Sequence, residues 1–373
     1  MADVVFRDVR LDEVPAVGEL FHTQWRENHI FYREPRVLEW QYHQNPYAKI
    51  FSRDLTLLGA FIDDRLAGVH GYIPFIFNRY GERQYGCHFC NWYAAPELRK
   101  GPWGIRLITD IIKLLPMDAW FGFGFTGMSR PILARIGWKI ESAFPRYLRI
   151  LDPAKCRELV KDQAEFLPFV EKFSGDYLSR TYPDKEDVIR IEEVDDIPGD
   201  RWDEFYWQEI APFFVGPARE ERFLIWRYKE IPIFKYRFLI AREDNQIKGL
   251  LVFRVEEVKK SVFKVIRIMD LIAKPPVSGE LIDKVLEIAV VEEAALIDFF
   301  CTSSIYDNEL RDRDFVFSQG DGSYPFPFLF QPIEPGRLTM DFGWQISGDL
   351  AESEECRRDL YYTKADGDLD RPN

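Results

Sequence analysis

This chain repeats itself. Arg36, Leu38, Trp40, Tyr42 and Pro46 recur as Arg222, Leu224, Trp226, Tyr228 and Pro232, at a constant offset of 186. Upstream, Leu11-Asp12-Glu13-Val14-Pro15 is echoed by Val194-Asp195-Asp196-Ile197-Pro198 at an offset of 183. Downstream, Asp63-Asp64 with Gly68 is echoed by Asp244-Asn245 with Gly249 at an offset of 181. Three matched blocks in one order, with small drifts between them, mark a duplicated domain. Scarce tryptophan and tyrosine carry most of that weight. A duplicated chain must fold twice into one architecture, so each half can be read against the other. Only the first copy runs from a strand into Pro96-Glu97-Leu98-Arg99-Lys100-Gly101-Pro102-Trp103-Gly104 and a helix. The second has Lys274-Pro275-Pro276-Val277-Ser278-Gly279 there. One half reads as working and the other as altered.

With 373 residues, 46% apolar and 16% aromatic, the chain can fill two ordinary cores. The repeat divides it into 1–150, a helical crossover 151–186, a second copy 187–350 and an acidic tail 351–373. The last ten residues of that tail are expected to be disordered. No apolar run reaches the roughly 18 residues of a membrane span, and Met1-Ala2-Asp3 begins no basic-then-apolar leader. A cytoplasmic protein without a membrane partner is expected. A formal charge of −13 opposes a nucleic-acid partner, which leans on Lys and Arg to neutralise phosphate. A small anionic ligand needs only a local site. Five scattered cysteines are no disulfide framework. Cys87-His88-Phe89-Cys90 is formally a C-x-x-C, yet a structural zinc needs further ligands and none is evident nearby. Plain strand cysteines and no metal are expected.

Residues 3–8 read as a strand, and Asp12 before Val14-Pro15 starts an amphipathic helix to about residue 27. A second helix spans 36–44. Strands over 55–62 and 66–77 make a hairpin about Asp63-Asp64-Arg65. A strand over 84–93 leads into the Pro96 turn, a helix over 103–115 and a glycine-spaced strand over 119–125. Ser129-Arg130-Pro131 starts a short helix ending at Gly137. One last strand is expected over 138–150. Trp40 and Trp226 are expected to anchor the same helix in each copy's core.

The Pro96 turn carries the chemistry. A helix entered through such a turn presents unpaired N–H groups and a positive end, which suit a pyrophosphate. Glycine lets the ligand approach, and Arg99 and Lys100 add charge. An ordinary strand–helix connection with a surface Arg-Lys gives the same local pattern.

The order strand, two helices, hairpin, strand, Pro-x-x-Arg-x-x-x-x-Gly turn, helix, strand and helix ending Gly-aromatic resembles the GNAT acyltransferase superfamily, over both copies. The resemblance implies an α+β fold of two tandem GNAT-like domains, each a mixed, mostly antiparallel sheet flanked by helices. It also implies acyl-CoA as co-substrate. The family turn reads Arg/Gln-x-x-Gly-x-Gly/Ala; Arg99 and Gly104 match its ends, while Pro102 stands at the first glycine and lacks an N–H. The CoA contacts so implied are Trp92, Ala94, Arg99, Lys100, Gly101, Trp103 and Gly104. Ala94 would pair its backbone with the pantetheine arm, and the Trp92 N–H would meet the oxyanion. Many members place a carboxylate base on the preceding strand, and the matching position here is His88. A free imidazole titrates near about 6.5, suited to a general base. Strand alternation puts His88, Cys90 and Trp92 on one face. His70, on the neighbouring strand, is the competing base. A half-buried histidine without chemistry, or catalysis by positioning alone, are the plainer alternatives. Where relatives carry a tyrosine acid, this chain has Leu133. Phe121-Gly122-Phe123-Gly124-Phe125 reads as a strand beneath the ligand or as plain strand packing.

Trp226-Arg227-Tyr228 with Pro232, and Phe342-Gly343-Trp344 with Gly348-Asp349, resemble sugar N-acyltransferases of bacterial surface-polysaccharide pathways. That implies a dTDP- or UDP-linked amino deoxysugar as acceptor, seated in the cleft between copies. A peptidoglycan-type aminoacyltransferase using charged tRNA and a non-catalytic acyl-CoA-binding protein are the alternatives. The acidic charge opposes the first of these.

Overall fold

The computed structural model describes residues 3–173, 189–197, 199, 201–318, 324–330, 333–336, 340–348 and 358–371. Its first half runs β1 (Val4–Asp8), α1 (Val14–Gln24), α2 (Ile30–Arg33), α3 (Pro35–Tyr42), β2 (Leu57–Ile62), β3 (Arg65–Arg79) and β4 (Glu82–Ala94). It continues through α4 (Trp103–Leu114), β5 (Ala119–Phe123), α5 (Ser129–Arg135), β6 (Lys139–Glu141) and β7 (Arg146–Ile150). Two short helices, α6 (Pro153–Leu159) and α7 (Leu167–Glu171), begin the crossover. Its remainder lies outside the described residues.

The second half begins β8 (Arg190–Val194), α8 (Arg201–Phe205), β9 (Val215–Pro217), α9 (Glu221–Leu224), β10 (Arg237–Glu243), β11 (Gln246–Glu257) and β12 (Lys264–Ala273). It closes with α10 (Val277–Val291), β13 (Leu296–Phe300), α11 (Asp307–Arg311), β14 (Val316–Ser318) and β15 (Phe342–Ile346). The two halves follow one order of elements, except that β9 stands in the second where the first has α2. Among the described residues, no helix is long and apolar enough to cross a membrane.

The fold is α+β, with two mixed sheets flanked by helices. One sheet runs β1-β2-β3-β4-β5-β15-β6, with β9 beside β3; the other runs β8-β10-β11-β12-β13-β7-β14. The two orders match, except that each sheet takes the other half's last strand. β15 lies between β5 and β6, and β7 between β13 and β14. The single strand expected over 138–150 is therefore two strands in two sheets. Phe144 marks the crossing. It is buried against Phe123, Phe300 and Phe342, and Pro145 after it has no N–H to extend a ladder.

The repeated tryptophans sit where the copies meet. Trp40 and Trp226 stack on one another with ring centroids 5.0 Å apart. Each indole N–H donates to the other's carbonyl, at 2.8 and 3.0 Å. They are core residues, but what they anchor is one copy to the other.

Each face of the first sheet has its own cover. The amphipathic stripe of α4, Leu107, Ile108 and Ile111, packs with Cys87, Phe89 and Trp120, each such burial stabilising by about 1.5–3 kcal/mol. The opposite face packs Cys90 and Phe121 with Val17, Phe21, Leu38 and Tyr42 of α1 and α3. Cys87 and Cys90 are free, buried thiols serving different faces.

The expected disordered end is the largest correction. Residues 364–371 are placed, and the segment 358–371 threads between the halves. Leu360, Tyr361, Tyr362, Ala365 and Leu369 are buried. Leu360 bridges to Val215 and Thr363 to Cys301. Burying its acidic residues requires partners. Asp366 takes both oxygens to Arg219 at 2.7 and 2.8 Å, and Asp370 meets Arg254 at 2.7 Å and the Tyr236 hydroxyl. The acidic and apolar residues of this segment, read as solvated tail, are paired charges and core. Residues 351–357 of the expected tail lie outside the described residues.

Candidate functional site

Two neighbouring parallel strands part company in the first sheet. The β4–β5 ladder ends at Phe89–Gly122, although β4 continues to Ala94. The cause is a bulge. Asn91 takes a positive φ of 53° and the β3–β4 register slips there, which bends the strand away from its neighbour. Its side chain holds the conformation, bonding the Tyr42 hydroxyl and accepting from Arg371 at 2.7 Å. The resulting gap opens beside Trp92, Tyr93 and Ala94, all half-buried, and the exposed Gly124.

The gap leads to the N-terminus of α4. Eight residues separate β4 from α4, against three between β12 and α10. The longer connection leaves Arg99, Lys100, Gly101 and Pro102 exposed. The first amides of α4 lack helical partners, and a side chain at Gly104 would meet only the Ala94 methyl, at 3.7 Å. Arg99 is not loose. Its Nε donates to the Ala94 carbonyl at 2.7 Å, which fixes a cation beside the helix end. Trp103 packs against Phe6. These residues fit a pyrophosphate, with amides, a positive helix end and an anchored guanidinium converging on open space. Pro102 caps the helix without donating.

The second half has the same splay, and it is filled. Its β12–β13 ladder ends at Ile268–Phe299. The Tyr361 hydroxyl bonds the Leu271 amide and carbonyl at 2.9 and 3.1 Å. The Tyr306 hydroxyl does the same for Ala273, at 3.5 and 3.1 Å. Arg313 covers the helix end, its guanidinium 2.7 Å from where a Gly279 side chain would start.

The structure separates the two histidines. His88 lies on the α1–α3 face and His70 on the α4 face. His70 packs against Phe89, tilted at 51° with ring centroids 4.6 Å apart, and reaches the Leu107 carbonyl at 3.4 Å. Burial pushes its imidazole down to about 3, so it is neutral at physiological pH. Trp92 is 6.0 Å from His70, not beside His88 as alternation suggested. The bulge at Asn91 adds a residue and reverses the faces beyond it. The Trp92 indole N–H is engaged with the Gly104 carbonyl at 3.0 Å.

His88 is wholly rather than half buried. Its Nδ1 lies 2.6 Å from the Tyr362 hydroxyl, and an Asp368 oxygen lies 3.7 Å from Nε2. Burial works to raise the Asp368 carboxyl. The His88 contact and the Arg371 charge outweigh it and hold the group well below the usual carboxylate range. Both neighbours come from the segment 358–371, and sequence reasoning missed them. A Tyr361-Tyr362 pair inside an acidic stretch was the available signal, since solvated tails are poor in aromatics. Leu133 is buried under α4 and offers no proton. Gly122 carries no side chain because Phe125 lies 3.0 Å from its would-be Cβ. Among the described residues, no group of three His, Cys, Asp or Glu side chains is placed to hold a metal.

A second opening lies between the exchanged strands. This cleft of about 440 Å³ is walled by Tyr147, Phe317 and Trp344, with Asp307, Arg311 and Arg358 at its polar side.

Comparison with known proteins agrees with the architecture. No protein-family model and no curated protein matches the chain. Solved structures do. A probable N-acyltransferase from Enterococcus faecalis superposes with a TM-score of 0.56 at 13% identity, over 95% of this chain and 74% of that one. GCN5-related N-acetyltransferases from Anabaena variabilis and Kribbella flavida give 0.55 and 0.53, at 11% and 14% identity. They cover 92% and 80% of this chain, and 73% and 64% of theirs. The chain has the GCN5-related N-acetyltransferase fold, twice over.

Proposed function

We propose that the protein is an acyl-CoA-dependent N-acyltransferase that works through its first half. The observation that supports it most is the asymmetry of two equal folds, in which one splay and helix end are open and the other pair is plugged. On this reading, Gly101, Trp103 and Gly104 receive the CoA pyrophosphate, with Arg99 and Lys100 beside it. Trp92 and Ala94 border the pantetheine arm. The thioester supplies an activated carbonyl carbon. The acceptor amine loses a proton and attacks that carbon, and the C–S bond breaks with its electron pair on sulfur. A thiol with a pKa near about 8.5 leaves without an acid, which fits leucine at position 133.

The acceptor we propose is a dTDP- or UDP-linked amino deoxysugar of a surface-polysaccharide pathway. It rests on the short motifs around Trp226 and Phe342. The cleft between the exchanged strands suits it, with aromatic walls for a base and Arg311 and Arg358 for phosphates. The test is a thermal-shift panel with CoA, acetyl-CoA, dTDP, UDP and tRNA, singly and in pairs, since ligands of the folded state raise Tm. Stabilisation by CoA together with one nucleoside diphosphate is expected. CoA alone removes the nucleotide sugar, tRNA alone points to the aminoacyl class, and no response to CoA removes the acyltransferase.

A further inference from the structure

We infer that Trp92, His70 and Arg99 form a polar brace that sets the open end of α4 against the splayed strand, with Trp92 and His70 as positioning residues. This rests on the acyltransferase reading and says what keeps the proposed CoA site in shape.

The need for a brace comes from the connection. Eight residues between β4 and α4 leave that helix end more slack than the three between β12 and α10. A pyrophosphate is gripped best by donors already in place, because ordering them on binding costs affinity. Leu107, Ile108 and Ile111 hold the body of α4 by burial, but burial has no direction. A hydrogen bond fixes both a distance and an angle.

The ties run from the sheet to the turn and the first turns of α4. Arg99 Nε donates to the Ala94 carbonyl at 2.7 Å and pins the turn to the end of the strand. The Trp92 indole N–H donates to the Gly104 carbonyl at 3.0 Å. His70 Nδ1 lies 3.4 Å from the Leu107 carbonyl, three residues further along the helix. A carbonyl only accepts, so this contact puts the proton on Nδ1. Burial holds the ring at about 3, which makes it a fixed donor at neutral pH and a poor base. His70 and Trp92 stand together, with ring centroids 6.0 Å apart, so both ties leave one spot on the sheet. The bulge at Asn91 is what turns Trp92 to this face.

The second half has the same joint without the brace. Gly68 pairs with Ala94 and Gly249 with Ala273, so His70 corresponds to Leu251 and Trp92 to Leu271. Both leucines are buried in the core that holds Leu281 and Val285 of α10. Leucine donates nothing. The carbonyl matching that of Ala94 belongs to Ala273, and it accepts from the Tyr306 hydroxyl at 3.1 Å. No arginine stands in that turn. Polar ties accompany the open helix end, and an apolar joint accompanies the covered one. The Trp92 N–H is spent on Gly104, so its work is to place the helix and not to meet the thioester oxygen.

The test uses the full chain, with calorimetry of CoA and hydrogen exchange of the free protein at amides 106–108, the first of which bonds the Pro102 carbonyl. Trp92→Phe keeps an aromatic surface and removes the N–H. It is expected to raise the CoA Kd and to speed that exchange, each about fivefold, as for the loss of one hydrogen bond. Amides 280–282 of α10 should not change. His70→Leu, which copies the second half, should act in the same way. His70→Asn, whose amide can donate in place of Nδ1, should recover most of the loss. Wild-type exchange in both Trp92→Phe and His70→Leu overturns the brace. With acetyl-CoA and a dTDP-linked amino deoxyhexose, lower kcat at unmoved Kd in Trp92→Phe also overturns it, by making Trp92 a catalytic contact. A kcat–pH profile displaced in His70→Leu and not restored in His70→Asn would make His70 the base instead. If the wild type binds no CoA, the acyltransferase reading falls, and hydrogen exchange alone decides whether the ties hold α4.

Discussion

The two halves share an element order, a strand register and a splay, and they differ in what stands at the mouth of each. In the first, eight residues between strand and helix hold Arg99 outward and leave Gly104 clear. In the second, three residues bring the helix straight off the strand. Arg313, bound to Asp283 at 2.5 and 2.7 Å, lies over Gly279. The same helix end can therefore be a receptor or a joint. In α10 the amides of Ser278, Gly279 and Glu280 are turned onto the carbonyls of Lys274 and Pro276, and Arg313, which only donates, lies over the end as a cover.

The sharpest way to break that contrast is to close the open end. Gly104→Asp puts a carboxylate in the first turn, where the helix tolerates it, and should raise the CoA Kd about 100-fold by calorimetry. Lys274→Glu at the second turn should leave it within twofold. Wild-type affinity in Gly104→Asp would mean CoA does not use α4. Next comes opening the closed end. Arg313→Ala should cost about 1–3 kcal/mol by stripping both Asp283 oxygens of the guanidinium that bonds them, while calorimetry still counts one CoA. A second binding event would show that Arg313 alone separates the copies.

The hairpins give a third comparison. His70 sits where the second half carries Leu251, since Gly68 and Gly249 face Ala94 and Ala273 in matching ladders. The folded-state pKa of His70 lies far below its unfolded value, so the unfolded chain binds the extra proton. The stability it contributes is complete above about pH 6.5 and is lost as pH falls towards 3, by about 2 kcal/mol between pH 7 and 5. Urea melts across that range should show His70→Leu flattening the loss. The smallest effect tests the symmetry itself. Trp40→Phe and Trp226→Phe should each cost about 1 kcal/mol from one lost hydrogen bond. Unequal costs would show that the stacked pair is not shared evenly.

Much of this was legible in the residues. Local signals survived: the Asp63-Asp64 hairpin, the Pro-x-x-Arg turn and the amphipathic 103–114 helix all depend on near neighbours. Readings that failed depended on distant ones. Alternation along β4 predicted Trp92 beside His88, and one positive φ at Asn91, fixed by Tyr42 and Arg371, reversed it. The acid residues after 358 looked solvated because their partners, Arg219 and Arg254, lie more than a hundred positions earlier. The exchange of β7 and β15 left no trace either, since a strand's pattern says that both faces are buried and not whose sheet buries them.

That exchange sets a schedule for synthesis. The first sheet cannot close between β5 and β6 until 342–346 have been made, more than two hundred residues after β5. At about 5–20 residues per second, the gap stays open for on the order of 10–40 s. Throughout it, β5 offers a bare edge on the ribosome, the kind of edge that recruits a strand from any neighbour. The copy that carries the open helix end is thus translated first and finished last, and its final strand arrives only with the segment that brings Tyr362 and Asp368.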